Sequence, residues 1–206
     1  MEVNETAPKY DIQKRYTYTD YMTWGEDVRC ELIDGVVYDM SPAPGWIHQG
    51  ISGKLVAQLS NFLEGKSCMV FQGPFDVRLN IDEGDNTVVQ PDVVVICDRS
   101  IMAKTGCNGA PDMVVEVLSP SNASKDFILK RSKYMHAGVR ELWIIDPESR
   151  IVQVYVREDG KYNAIDYLNA GKIPVSILDG CEIDMARIFA DIDAFDAGDS
   201  DEKGIS

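Results

Sequence analysis

The run Met113-Val114-Val115-Glu116-Val117-Leu118 is apolar at every position but one. A stretch without polar alternation has no face for water, so it reads as a strand covered on both sides of its sheet. Its exception is Glu116. An ionised carboxylate taken out of water without a partner costs several kcal/mol or more, so this residue is expected to be paired, protonated or bound to a metal. Upstream, Pro91-Asp92-Val93-Val94-Val95-Ile96 opens a second apolar run with an acid. On adjacent buried strands, Asp92 and Glu116 would make half of a divalent-metal site.

The flanking sequence supplies the layers such strands need. Arg29 to Ile33 and Val36 to Met40 flank Asp34-Gly35, a dipeptide suited to the positive φ angles of a tight hairpin. From Trp46 to Leu63, the four-residue steps Ile47, Ile51, Leu55, Leu59 and Leu63 predict an amphipathic helix ended by Gly65. Strands are expected at Cys68 to Phe71 and at Phe75 to Leu79, and Gly106 to Pro111 reads as a loop. A short helix over Thr17 to Trp24 would lay its aromatic face on the body. Ser119-Pro120-Ser121-Asn122 ends the Glu116 strand and offers N-caps for a helix from about Ser124 to Ala137, ended by Gly138. Leu142 to Ile145 forms a third buried strand. The segments Ile151 to Val156 and Tyr162 to Tyr167 make an edge hairpin. Strand, helix and strand in that order bring the Glu116 and Trp143 strands parallel in one sheet. The fold class is α/β or α+β, a mixed sheet flanked by helices.

With 206 residues, the chain is expected to hold an N-terminal arm at 1–15, one domain at 16–190 and an acidic tail at 191–206. A net charge of −14 argues against a protein whose main task is non-specific duplex binding, because phosphate contacts come from Lys and Arg. The five cysteines form no C-x-x-C pair and are odd in number, so neither a zinc site nor a disulfide framework is expected. No apolar run approaches a membrane span, and the N-terminus lacks a basic region followed by an apolar stretch. The expectation is a soluble protein in the reducing cytoplasm.

Metal-dependent phosphodiester hydrolysis needs oxygen ligands and a positive group to orient water or steady developing charge. Lys130 is the candidate cation. It shares a helical stripe with Phe127 and Tyr134, which would turn it inward, whereas an exposed ion pair with Asp126 would turn it outward. Glu31 is a further strand acid, either solvent-facing on its hairpin or part of the site. Asp112 reads as a turn residue. Gln90 either touches the site or satisfies a loop carbonyl. His48 and His136 read as surface or packing residues, and Trp143 as core.

The series Glu31-Leu32-Ile33-Asp34-Gly35, Gln90-Pro91-Asp92-Val93, Glu116-Val117-Leu118-Ser119-Pro120-Ser121, then Asp126, Lys130, Tyr134, Gly138-Val139, Glu141, Trp143 and Asp146-Pro147 resembles the Uma-two family of restriction-endonuclease-like proteins over about Tyr16 to Ala190. The resemblance implies the PD-(D/E)-x-K nuclease fold, a mixed sheet core flanked by helices, with an N-terminal hairpin and a C-terminal edge hairpin. It implies an endonuclease that cleaves nucleic acid, DNA foremost, with Mg²⁺ or Mn²⁺ as cofactor. Glu31, Asp92 and Glu116 would then be metal ligands and Lys130 a catalytic group. The superfamily's lysine stands two residues after the second acid, where this chain has Leu118; Lys130 on the following helix would replace it. A homodimer is expected from symmetry preference. The alternatives are a non-catalytic or regulatory binding module that keeps the fold, and a metal-dependent hydrolase of a small phosphoester.

Overall fold

The computed structural model of the protein describes residues 10–11, 13–24, 28–40, 43–119 and 125–202. Thr17 closes a capping box on the one-turn helix α1 (Tyr18–Tyr21). Strands β1 (Cys30–Ile33) and β2 (Val36–Asp39) pair antiparallel about the expected turn, where Asp34 and Gly35 take φ values of 52° and 75°. Helix α2 (Trp46–Leu63) follows. Next come β3 (Met69–Gln72), β4 (Asp76–Arg78), β5 (Val88–Val89), β6 (Val93–Ile96), β7 (Gly106–Asn108) and β8 (Met113–Val117). The chain continues through α3 (Lys125–Ala137), β9 (Glu141–Asp146), β10 (Ile151–Glu158), β11 (Lys161–Leu168), β12 (Lys172–Pro174), β13 (Glu182–Asp184) and α4 (Met185–Glu202).

Two mixed sheets carry the fold. The larger runs in the order β11-β10-β9-β8-β6-β3, and the smaller in the order β2-β1-β5-β4-β7. As the strand-helix-strand order predicts, β8 and β9 are parallel, while β6 lies antiparallel on the other side of β8. Alternate residues of the central strands bury into different layers. Val93, Val115 and Trp143 face Ile51, Leu55 and Ile188 of α2 and α4. Val94, Val114 and Leu142 face Tyr134 of α3 together with Ile33, Val77 and Val89 of the smaller sheet. Glu116 shares the parity of Val114, so it points toward α3 and the smaller sheet. Beyond that sheet, Leu32 and Val88 pack on Tyr16 and Trp24, the aromatic face that α1 helps to place.

Several expectations need correction. The buried residues of α2 are His48, Ile51, Ser52, Leu55, Leu59 and Leu63, while Ile47 is exposed. Four-residue steps advance about 40° per step beyond a full helical turn, so a stripe counted that way drifts off the buried face. The expected loop at Gly106 holds β7, parallel to β4. Cys68 and Cys97 form a disulfide, against the expectation of none. They flank β3 and β6, whose antiparallel register pairs Met69 with Ile96 and brings the cysteines opposite each other. The remaining cysteines, Cys30, Cys107 and Cys181, are free and buried. Helix α4 runs through residue 190. Most of the N-terminal arm and the N-cap candidates at 120–122 lie outside the described residues. Among the described residues no helix is long and apolar enough to cross a membrane.

Candidate active site

Where β6 begins and β8 ends, α2 and α3 converge from opposite faces of the large sheet on a cleft of about 570 Å³. Val93 pairs with Val115, so one further step of that register sets Asp92 across from Glu116. Residues directly opposite in an antiparallel pair share a face, which brings the two carboxylates to the same end of the sheet. Asp92 Oδ2 accepts the Val117 N–H at 2.7 Å and lies 3.0 Å from His48 Nε2.

Glu31 arrives from the smaller sheet. It sits on β1 one alternation from the buried Ile33, and it is itself buried. Its Oε1 accepts the Gln90 N–H at 2.7 Å and Lys130 Nζ at 2.8 Å. Lys130 also reaches Glu116 Oε1 at 2.6 Å, so one ammonium from α3 bridges acids of two sheets. The inward reading of Lys130 holds, since only 9% of the residue is exposed. One turn along α3, the Tyr134 hydroxyl donates to the same Glu116 oxygen at 2.5 Å.

The electrostatics follow from burial and proximity. Burial pushes the Glu116 carboxyl up; Lys130 opposes that, while Asp92 and Glu31 reinforce it. Burial alone would pull Lys130 down, yet the charges of Glu116 and Glu31 raise it above its ordinary value, so it is held as a cation. Tyr134 is raised by burial and by Glu116, and stays a donor. For His48, burial pulls downward, but the hydrogen bond and charge of Asp92 outweigh it and raise the imidazole.

The sequence-predicted residues thus meet at one cleft, which Glu31, Asp92, Glu116, Lys130 and Leu118 all line. Gln90 does touch the site: its N–H holds Glu31, while its amide donates to Asp76 Oδ1 and to the Tyr21 hydroxyl. Asp112 is structural, bonded to the Cys97 N–H and to Arg140. Trp143 is core, with its Nε1–H on Glu141. His136 pairs with Glu83 on the surface. His48 was missed. With Ile51, Ser52 and Leu55 it makes an i, i+3, i+4, i+7 face, the pattern that marks it as buried.

The donor set fits a small hard cation. Among the described residues, one oxygen each of Asp92, Glu116 and Glu31 accepts no hydrogen bond, and all three side chains line the cleft. Among those residues no three His, Cys, Asp or Glu side chains converge as a metal cluster; Lys130 lies between Glu31 and Glu116. Mg²⁺ needs no all-protein cage, since it is commonly held by one or two carboxylates with water and substrate phosphate. Asp92 and Glu116 meet that demand.

Residues 18–186 match the family model of Uma2, described as "Putative restriction endonuclease". The chain belongs to the Uma2 family. It is 30% identical over 152 residues to the uncharacterized protein slr1290 of Synechocystis sp., covering 72% of this chain and 78% of that protein. A crystal structure from Anabaena variabilis, of "a putative nuclease belonging to DUF820", superposes with a TM-score of 0.68 at 21% identity and covers 85% of this chain and 98% of that one. Uma2 membership supports a nuclease-like function at a coarse level, and the superposition shows that the fold is shared. In this Uma2 chain the lysine near the acids comes from α3, and the residue just past the end of β8 is Leu118.

Proposed function

We propose that the protein is a divalent-metal-dependent endonuclease that hydrolyses phosphodiester bonds of nucleic acid, DNA foremost. The observation that carries this reading is Lys130 Nζ, held 2.8 Å from Glu31 and 2.6 Å from Glu116 at the end of the strand pair that bears Asp92. Asp92 and Glu116 would hold Mg²⁺ or Mn²⁺. When bound, such an ion would polarise the phosphoryl group and lower the pKa of a bound water. Lys130 would orient the attacking water and steady the charge that develops on the phosphoryl oxygens. Glu31 fixes the ammonium from the other sheet and offers a third carboxylate at the rim. Tyr134 and Lys130 both occupy Oε1 of Glu116, a residue that lines the cleft.

Cleavage of supercoiled and linear DNA and of RNA by the purified protein, with Mg²⁺, Mn²⁺ or chelator, tests the reading. Metal-dependent product is expected, with Asp92→Ala and Lys130→Ala each slower by on the order of 100-fold or more. Cleavage by both variants at the wild-type rate would sink it. The net charge of −14 favours a second reading, a regulatory module that keeps the nuclease fold. Calorimetry with Mn²⁺ separates the two, since that module predicts no binding that depends on Asp92.

A further inference from the structure

His48 has no place in the acid-and-lysine pattern, yet it reaches from α2 to a candidate ligand, Asp92. It is 8% exposed, and Ser52 Oγ donates to its carbonyl from the next turn of the same helix. Its Nδ1 is buried and meets no hydrogen-bond partner among the described residues, and the ring's polar neighbours are the Asp92 carboxylate and the Val117 backbone. An ionised carboxylate only accepts, so Nε2 carries the hydrogen whether the ring is neutral or charged. Asp92 Oδ2 is therefore held by two donors, the His48 Nε2–H at 3.0 Å and the Val117 N–H at 2.7 Å. The Asp92 backbone is fixed as well, since its carbonyl accepts the Gly73 N–H at 2.9 Å.

We propose that His48 is a positioning residue: its Nε2–H pins Oδ2 of Asp92 against the Val117 amide, so that Oδ1 is the oxygen turned to a divalent cation in the cleft. This rests on the metal-dependent reading of the site. Partners that orient ligating carboxylates change metal affinity by roughly 10–100-fold when removed. Helix α2 thereby couples its packed face to the geometry of a ligand on the opposite element.

The test is calorimetric Mn²⁺ titration of the full chain and three variants, each checked for folding by thermal denaturation. Glutamine carries its amide nitrogen about as far from the backbone as Nε2 lies, whereas asparagine falls short of Asp92. His48→Gln is expected to bind Mn²⁺ nearly as the wild type does. His48→Leu and His48→Asn should both bind more weakly by roughly 10–100-fold. A role limited to filling space would leave His48→Leu, which fills the site without a donor, binding Mn²⁺ as His48→Gln does, and that outcome overturns the inference. Equal affinity in all the folded proteins, or equal loss in glutamine and asparagine, overturns the inference. A wild type that takes up no Mn²⁺ overturns the metal-dependent reading itself, and the inference with it.

Discussion

Lys130 is held by two buried carboxylates, and that arrangement has a stability consequence separate from catalysis. Removing one partner of a buried ion pair leaves uncompensated charge, which costs ~3–5 kcal/mol. Lys130→Ala is therefore expected to lose about that much in urea unfolding, because Glu31 and Glu116 both lose their cation. A stability equal to wild type would mean that the acids are solvated or protonated in the folded protein. Activity assays on this variant need that control. The lysine's direction was not legible in the sequence. Its helical stripe pointed inward and Asp126 offered an outward partner; what decides is Glu31, which comes from a strand 99 residues away. Glu116 was legible as a site residue because a carboxylate inside an apolar run demands a partner. The same rule does not single out Glu141, which is fully buried yet accepts Trp143 Nε1–H and the Ile177 N–H and serves the scaffold. A buried acid announces an interaction, and the chemical type of its partner decides whether it is a site.

At the scale of elements, the long apolar strands and both amphipathic helices follow from their periodicity, while the short strands β5 and β7 do not. Two or three residues carry too little pattern, and β7 opens with a glycine that reads as a loop. Its glycine has a specific cause. A Cβ at Gly106 would lie 1.9 Å from the Asp76 carbonyl oxygen, so the parallel pairing of β4 and β7 closes only where a side chain is absent. Asp76 in turn accepts the Gln90 amide, and the Gln90 N–H holds Glu31. Gly106→Ala is expected to push β4 and β7 apart at a cost of ~1–3 kcal/mol, typical of overpacking. Thermal denaturation should show the loss. If the melting temperature is unchanged, the two backbones do not approach as described. The disulfide was hidden for a related reason, since Cys68 and Cys97 meet through strand register and not through spacing in the chain.

For the whole molecule, charge sets how a nucleic acid would approach. The protein carries −14 overall, and its cleft is lined by Glu31, Asp39, Asp92 and Glu116 against Arg29 and Lys130. Lys130 is already engaged by two of those acids. A duplex binder with about 6–10 phosphate contacts loses roughly 10³–10⁵-fold in affinity between about 50 and 200 mM salt, as released counterions compete for the phosphates. Few cations are available here for such release. Opposing it is long-range repulsion between like-charged partners, which fades as the Debye length shrinks from about 30 Å at 0.01 M to about 8 Å at 0.15 M. The repulsive effect should win over this range. At fixed divalent-metal concentration and subsaturating DNA, kcat/KM is therefore expected to stay level or rise as monovalent salt increases from about 10 to 150 mM. A steep fall instead would locate a basic contact surface away from the cleft, and it would transfer the task of holding substrate from the divalent ion to that surface.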